Sequence, residues 1–219
     1  MDGPFVQVIS ESFSSRRSSA PIAFLDRDGV LNVGRQGYVN APNEVELLPH
    51  VAESVAELKK HGFMVCVVTN QSPLSRGLWG PDQLQAIHES LVLQLQMANN
   101  DATLDLILTC PHMHQEGCAC RKPSPAMLNL GSRLIRESMP AELGFEPSVL
   151  PVDRSVVDWW GEKPTPPHPL DLMVGDRRSD MGAGWAYGAR LYRVSQEGGL
   201  ADVANRITDN DDAGDRFLP

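Results

Sequence analysis

Basic residues are scarce in this chain of 219 residues. It has 19 Lys and Arg against 28 Asp and Glu, so its formal net charge is −9 at pH 7. A surface of this sign repels a phosphate backbone, and no Lys- or Arg-rich patch offsets it. The composition therefore argues against a nucleic-acid partner, including the substrate of a polynucleotide phosphatase. A small phosphorylated molecule would need a metal ion or a few focused cations to hold it.

Long apolar runs are also absent. No stretch approaches the ~20 apolar residues that span a bilayer, and the N-terminus lacks the apolar core of a signal peptide. The apolar fraction of 42% and the charged fraction of 21% are those of an ordinary globular protein. We therefore expect a cytoplasmic protein with no membrane partner. A domain of this size without a large exposed apolar stripe is expected to be a monomer.

Cysteine is rare too, and its spacing does not suggest a disulfide framework. Three of the four cysteines fall within eleven residues, with two histidines among them. Three thiolates and one imidazole make a closed tetrahedral set that suits structural Zn²⁺. A closed site has no position for water, so its expected role is to fold the loop that carries it. The candidate ligands are Cys110, Cys118 and Cys120, with His112 or His114.

Short apolar runs alternate with amphipathic segments from Pro21 onward. Continuous apolar runs are typical of buried parallel strands, and apolar residues at helical spacing predict the helices between them. This order predicts an α/β fold with a parallel sheet and helices on both faces. Ligands bind such sheets beyond the carboxyl ends of the strands. Strands are expected at 22–25, 63–68, 104–108, 172–174 and 190–194.

Three segments lie outside this alternation. Residues 1–20 offer little to bury and are predicted to be a flexible tail. Residues 209–219 are expected to form a C-terminal tail, so that the single domain covers residues 21–208. Residues 140–169 contain seven prolines, which predicts an irregular insert. The sequence leaves open whether this insert is a lid over the site, with its paired tryptophans near a substrate, or a surface insert that they anchor.

Acidic side chains follow two of the predicted strands. Asp26 and Asp28 come directly after the first, and Asp176 and Asp180 come after the fourth. Carboxylates that converge on one sheet edge repel one another unless a cation lies among them, and Mg²⁺ suits such a site. Phosphoryl transfer needs a nucleophile, a metal, hydrogen-bond donors and a fixed cation. The run 69–72 could supply the donors, and Arg121 and Lys122 the cations.

The order and spacing of these residues resemble the four motifs of the haloacid dehalogenase (HAD) superfamily of phosphatases. Longer strings look like its D-glycero-D-manno-heptose 1,7-bisphosphate phosphatase group, to which the histidinol-phosphate phosphatase group is closely related. The resemblance covers residues 21–136 and 170–194. It implies a Rossmann-like HAD fold with a small zinc-binding loop, 110–120, and no large cap domain. The strings are Phe24–Gly29, Gly37–Val39, Val68–Ser72, Arg76–Gly77 and Cys120–Pro123.

The resemblance also implies a role for each catalytic residue. Asp26 would be the nucleophile and would form an aspartyl-phosphate. Asp28 would protonate the leaving alcohol and then activate water for the second half-reaction. Thr69 and Lys122 would stabilise the phosphoryl group during its transfer.

Two metal sites are implied in the same way. Mg²⁺ would be held by Asp26, by the main-chain carbonyl of Asp28 and by Asp176, with Asp180 orienting these ligands. For Zn²⁺ the family pattern favours His112 over His114. The implied zinc ligands are thus Cys110, His112, Cys118 and Cys120.

The substrate is expected to be a small phosphorylated metabolite. The group-specific strings favour hydrolysis of the C7 phosphate of the heptose bisphosphate. The short spacing between His112 and Cys118 and the form of the motif at 175–180 favour histidinol phosphate instead. A catalytically inactive, zinc-stabilised binding protein is a third interpretation, because a fold alone does not prove a function. Substrate-binding residues implied by the resemblance are Gln36, Gly37, Tyr38, Val39, Asn70, Gln71, Ser72, Arg76 and Arg121.

Overall fold

The computed structural model describes residues 3–9, 19–137, 140 and 142–219. Over these residues the chain forms one seven-stranded sheet with helices packed on both of its faces. No helix of the described part is both long and apolar enough to cross a membrane. The strands are β1 (Phe5–Val8), β2 (Ile22–Leu25), β3 (Met64–Asn70), β4 (Leu106–Cys110), β5 (Ser148–Val149), β6 (Leu172–Gly175) and β7 (Arg190–Arg193). The helices are α1 (Val51–Lys60), α2 (Pro81–Ala98), α3 (Ala126–Arg136), α4 (Arg178–Tyr187) and α5 (Ala204–Ile207).

The sheet is parallel over five strands and antiparallel at one edge. The strand order is β5-β1-β4-β3-β2-β6-β7. All neighbours from β4 to β7 pair in parallel. The strand β1 runs antiparallel to both β4 and β5. The predicted α/β fold is therefore confirmed, as a mixed sheet whose antiparallel edge the sequence did not indicate.

Alternate side chains of the central strands enter two separate apolar cores. On β3, Val65 and Val67 pack with α1, α2 and α5, whereas Cys66 and Val68 pack with α3 and α4. This follows from the alternation of side chains along a strand. Because both faces of the sheet are covered, each central strand is a continuous apolar run. That is why these strands could be recognised in the sequence.

The prediction of a flexible tail over residues 1–20 is wrong for residues 5–8. These residues form β1, which pairs with the otherwise open edge of β4. The strand is short, and its central Gln7 is fully buried, so it lacks the apolar signal of the other strands. Its stability comes from pairing and burial that depend on distant residues. Residues 10–18, which hold most of the Ser-Arg run, lie outside the described residues.

The described part of the proline-rich insert is irregular apart from β5, and it packs beside α3 and α4. The ring of Trp159 stacks on Trp185 with 5.8 Å between the centroids. The guanidinium of Arg154 donates a hydrogen bond to the carbonyl of Gly117 at 2.5 Å. One tryptophan of the pair is thus an anchor, whereas Trp160 is exposed.

Residues 209–219, which the sequence placed in a C-terminal tail, are docked along β7. The N–H of Asp215 donates to the carbonyl of Leu191 at 2.6 Å. The guanidinium of Arg206 pairs with Asp212 and with Asp215, each at 2.9 Å. Pairing of polar groups, which an apolar pattern does not reveal, holds this segment in place.

The strand β1 can be tested by removing one buried side chain. Val6 is 0% exposed and Val156 is 98% exposed. Because Val6→Ala leaves a small cavity in the core, we expect the free energy of unfolding to fall by about 2 kcal/mol. Val156→Ala, the matched control, is expected to change it by less than about 0.5 kcal/mol. Urea denaturation measures both; an equally small effect of the two substitutions would contradict the burial of β1.

Candidate active site

A cavity of about 520 Å³ opens at the carboxyl edge of the sheet. Asp26 enters it from the end of β2, and Thr69 from the end of β3. Lys122 comes from the loop after β4, and Asp180 from the first turn of α4. Because parallel strands end at the same edge, residues distant in the sequence meet there. The structure thus brings the four predicted motifs to one site.

Lys122 is the fixed cation of this site. Its Nζ lies 2.9 Å from Asp26 Oδ1 and 2.7 Å from Asp180 Oδ1, and it donates to the carbonyl of Val68 at 2.6 Å. Two carboxylates and one carbonyl thus surround the ammonium group. Burial acts to lower the pKa of Lys122, but the carboxylates of Asp180 and Asp26 outweigh it and raise the pKa. The side chain therefore stays charged although it is buried.

Asp26 is a buried carboxyl group that lines the cavity. Its Oδ1 accepts a hydrogen bond from the main-chain N–H of Arg27 at 2.8 Å. Burial raises the pKa of Asp26 to about 6, with Asp180 adding to the rise and Lys122 opposing it. Such a group, partly desolvated and held by a lysine, suits nucleophilic attack on an electrophile in the cavity.

Asp28 also lines the cavity, and both of its oxygens are hydrogen-bonded. Arg27 Nη2 and Gln71 Nε2 each lie 2.9 Å from Oδ2, and Asn32 Nδ2 lies 2.9 Å from Oδ1. Burial acts to raise the pKa of Asp28, but Arg27 and these donors outweigh it and lower the pKa. Gln71 also donates to Thr69 Oγ1 at 2.9 Å. Gln71 is buried and does not line the cavity; its side chain holds Asp28 and Thr69 in position.

Three carboxylates form a candidate metal centre beside Lys122. Oxygens of Asp26, Asp176 and Asp180 lie within 4.8 Å of one another. Asp176 Oδ2 accepts a hydrogen bond from Gln196 at 2.5 Å, but its buried Oδ1 has no hydrogen-bond partner among the described residues. A buried oxygen without a donor needs an explanation, such as a cation. The residues therefore fit Mg²⁺, which prefers carboxylate oxygens.

Asp180 is held by two contacts, although its buried Oδ1, like that of Asp176, has no hydrogen-bond partner among the described residues. Oδ1 lies 2.7 Å from the ammonium of Lys122, and Oδ2 accepts a hydrogen bond from the main-chain N–H of Arg177 at 2.9 Å. This arrangement agrees with an orienting role for Asp180. The assignment of the magnesium ligands stays a prediction.

The cysteine loop forms a second cluster of possible metal ligands. The Sγ–Sγ distances are 3.2 Å between Cys110 and Cys120, 3.6 Å between Cys110 and Cys118, and 3.7 Å between Cys118 and Cys120. His112 Nδ1 lies 3.3 Å from Cys120 Sγ. Tetrahedral zinc with Zn–S bonds near 2.3 Å would set the sulfurs roughly 3.8 Å apart, close to these distances. The cluster contains His112, whereas His114 lines the catalytic cavity.

Hydrogen bonds from β3 and from the cysteine loop hold the residues that directly follow this loop. The side chain of Asn70 donates to the carbonyl of Lys122 at 3.3 Å and accepts from its main-chain N–H at 3.2 Å. Arg121 Nη1 donates to the carbonyl of His112 at 2.7 Å. A metal in the loop would thus support the residues that face the substrate without touching it.

The predicted substrate residues divide into two groups. Tyr38 lies at the cavity in the left-handed region, with φ +68°, and its hydroxyl is 3.2 Å from Ser72 Oγ. Val39 is buried in the core, and Arg76 is exposed, with its Nε 3.5 Å from Ser72 Oγ. Lining the cavity are Gln36, Tyr38, Asn70, Ser72 and Arg121; Gly37, Val39, Gln71 and Arg76 do not line it.

Sequence reasoning missed several cavity residues. Four of the six lie inside the cysteine loop or the quoted motif strings, and the other two directly precede Gln36, so their positions were recognised but no role in the cavity was assigned to them. No described residue of the proline-rich insert lines the cavity in this structure. The missed lining residues are Gly34, Arg35, His114, Pro123, Arg177 and Ser179.

Comparison with known sequences finds relatives that are named as heptose bisphosphate phosphatases. No protein-family model matches the chain. The D-glycero-β-D-manno-heptose-1,7-bisphosphate 7-phosphatase of Bordetella bronchiseptica is 40% identical over 106 residues, which is 48% of this chain and 58% of that protein. The enzyme of the same name from Escherichia coli K12 is 42% identical over 118 residues, or 50% and 60%. The chain therefore matches about three fifths of the length of these curated relatives.

Solved structures agree with the sequence matches. The crystal structure of D,D-heptose 1,7-bisphosphate phosphatase from B. bronchiseptica, complexed with magnesium and phosphate, aligns with a TM-score of 0.64 and 29% identity, over 85% of this chain and 97% of that one. A putative HAD-like phosphatase from Mesorhizobium loti aligns with a TM-score of 0.69 and 24% identity, over 99% and 97%. This chain has the HAD-like fold. The resemblance that the motifs indicated is thus confirmed in sequence and in fold.

Metal analysis tests the cysteine loop. We expect freshly purified, reduced protein to hold about one zinc ion per chain, because the four ligands form a closed set. Cys120→Ala should lose the zinc, whereas Cys66→Ala, a buried cysteine outside the cluster, should keep it. Chelation should speed hydrogen exchange over residues 110–122 while the sheet stays protected. Protein that contains no zinc would rule out the assignment.

Proposed function

We propose that this chain is a Mg²⁺-dependent phosphomonoester hydrolase that works through an aspartyl-phosphate on Asp26. The observation that carries the proposal is the buried Lys122 between Asp26 and Asp180 at a polar cavity. The best-supported substrate is D-glycero-D-manno-heptose 1,7-bisphosphate, hydrolysed at its C7 phosphate. The names of the relatives support this choice.

In the first half-reaction a carboxylate oxygen of Asp26 attacks the phosphorus, and the bond from phosphorus to the leaving oxygen breaks. That oxygen keeps the electron pair and takes a proton from the carboxyl group of Asp28. Arg27 favours the ionised form of Asp28, but an approaching anionic phosphate raises the pKa of a neighbouring carboxyl group and assists its protonation. Lys122 and the hydroxyl of Thr69 hold the phosphoryl oxygens meanwhile.

In the second half-reaction the carboxylate of Asp28 takes a proton from water, and the water oxygen attacks the phosphorus of the aspartyl-phosphate. Inorganic phosphate leaves, and the carboxylate of Asp26 is restored. The ionised Asp28, with both oxygens hydrogen-bonded, suits this role as a base. When bound by Asp26, the Asp28 carbonyl and Asp176, Mg²⁺ supplies positive charge that offsets the repulsion between carboxylates and phosphate.

The cavity wall suits a phosphorylated sugar. Gln36, Tyr38 and Asn70 offer polar groups for sugar hydroxyls, and Arg35 and Arg177 add positive charge. The side chains of Arg35 and Arg177 are 41% and 68% exposed, so they have room to turn towards a second phosphate. A bisphosphate would use this charge, because guanidinium groups bind phosphate through paired hydrogen bonds.

Phosphate release tests the nucleophile. With Mg²⁺ we expect release from a panel of the heptose bisphosphate, histidinol phosphate and common sugar phosphates, strongest on the first. Asp26→Asn should lower kcat by about 10³-fold or more, because the amide cannot form the phosphoenzyme. Asp101→Asn, a change of an exposed carboxylate, is the control and should keep full activity.

Each other outcome has a distinct meaning. Equal release by Asp26→Asn and the unmodified protein would exclude the aspartyl-phosphate. Strongest release from histidinol phosphate would reassign the substrate. Wild-type protein that is inactive on every compound would contradict the proposal and support a zinc-stabilised binding protein.

The requirement for Mg²⁺ tests the carboxylate cluster. Asp176→Asn should raise the Mg²⁺ concentration for half-maximal activity by about tenfold or more, because it removes a charged ligand. The wild-type protein should lose turnover when desalted into Mg²⁺-free buffer. Desalting is preferable to a strong chelator, which would also strip zinc. Full turnover without Mg²⁺, or an unchanged requirement in Asp176→Asn, would refute the assignment.

A further inference from the structure

A chain of buried hydrogen bonds lies beneath the catalytic loop, which is the segment 26–29 that directly follows β2. Arg27 Nη1 is 3.2 Å from His88 Nε2 on α2, and His88 Nδ1 is 2.6 Å from Gln7 Oε1 on β1. The side-chain amide of Gln7 also donates to the carbonyl of Phe145 at 3.1 Å. Arg27, His88 and Gln7 are each at most 1% exposed, and none of them lines the catalytic cavity.

The direction of each hydrogen bond is fixed by chemistry. A guanidinium group has donors only, so Arg27 Nη1 donates and His88 Nε2 accepts. His88 must then carry its hydrogen on Nδ1 and donate it to Gln7 Oε1, which agrees with the Gln7 amide donating to Phe145. The imidazole is therefore neutral. Burial and the nearby Arg27 also hold the pKa of His88 well below its usual value.

The same guanidinium group also donates hydrogen bonds to the carboxylate of Asp28, through its other two nitrogens. Arg27 Nε lies 3.1 Å from Asp28 Oδ1, and Nη2 lies 2.9 Å from Oδ2. Because the guanidinium group is planar and rigid, a hydrogen bond at Nη1 fixes the plane in which it meets the carboxylate. His88, which does not touch Asp28, is thus linked to it through Arg27.

Packing alone does not account for His88. It lies on the buried face of α2 beside Ile87 and Leu91, where an apolar side chain would bury without loss of hydration. Burial of a histidine and a glutamine is costly unless their polar groups are all paired. Here the pairing is complete, and it ends on a residue of the catalytic loop.

We propose that His88, held by Gln7, is a positioning residue: it orients Arg27 and thereby keeps the Asp28 carboxylate facing the substrate. The inference rests on the proposed function, because it is that proposal that gives Asp28 its part in the reaction. The antiparallel strand β1 gains a role in catalysis through Gln7, although it lies outside the parallel part of the sheet.

Paired substitutions at His88 test the proposal. His88→Leu removes the acceptor of Arg27 and should lower kcat about 10- to 100-fold, with KM changed less than about twofold. His88→Gln, whose amide oxygen can accept from Arg27, should keep kcat within about threefold. Gln94→Leu on the same helix removes hydrogen bonds to Val45 and Ser90 and should leave kcat unchanged at a comparable loss of thermal stability.

The same variants can overturn the inference. If His88→Leu keeps its kcat, or if Gln94→Leu loses as much, His88 has only a structural role. If His88→Gln is as slow as His88→Leu, acceptance of the Arg27 hydrogen bond is not what matters. An inactive wild-type protein would instead overturn the proposed function, and the catalytic role of His88 with it.

Nuclear magnetic resonance supplies a readout that does not depend on activity. In a long-range ¹H–¹⁵N spectrum of the histidine rings, His88 should carry its proton on Nδ1 and none on Nε2. Gln7→Leu should perturb this ring and lower kcat less than His88→Leu does, because the contact with Arg27 remains. A proton on Nε2 in the wild-type protein would refute the hydrogen-bond chain directly.

Discussion

The ammonium group of Lys122 lies out of water between the carboxylates of Asp26 and Asp180. Removing such charges from water is costly, and their attraction compensates only when the geometry is good and further hydrogen bonds are made. The third contact, to the carbonyl of Val68, completes the set. These contacts tie together the end of β2, the end of β3, the loop after β4 and the start of α4. The catalytic edge of the sheet is organised around this one buried cation.

Close packing at the end of β6 serves the same arrangement. A Cβ atom on Gly175 would come within 2.2 Å of the Cβ of Asp180, so glycine is required for the carboxylate to approach Lys122. The side chain of Asn70 forms two hydrogen bonds with the main chain of Lys122, which directly follows the cysteine loop. The lysine is thus held by its side chain and by its backbone.

The sequence predicts the parts of this molecule that follow a local rule. The four inner parallel strands, β4, β3, β2 and β6, can be recognised because burial on both faces makes them mainly apolar. Asp26 and Thr69 can be recognised because they lie where such strands end. The strand β1 is invisible, since it is short, has the polar Gln7 at its centre and is stabilised by pairing with β4. The partners of the carboxylates are equally hidden. Nothing local indicates that Gln196 contacts Asp176, or that Gln71 points inward.

Asp26 contacts Lys122 and Asp28 contacts Arg27, and the pKa values of these two carboxyl groups shift in opposite directions. Lys122 contacts Asp26, whose pKa burial still raises to about 6; Arg27 grips Asp28 and lowers its pKa. Pairs of carboxyl groups with divergent environments are a sign of divided roles in catalysis. Both groups are mainly ionised at neutral pH, but burial keeps the pKa of Asp26 nearer to neutrality than that of Asp28. A cation among the carboxylates, where Asp176 and Asp180 each have one buried oxygen without a hydrogen-bond partner among the described residues, would favour the ionised nucleophile, as Arg27 favours the ionised base.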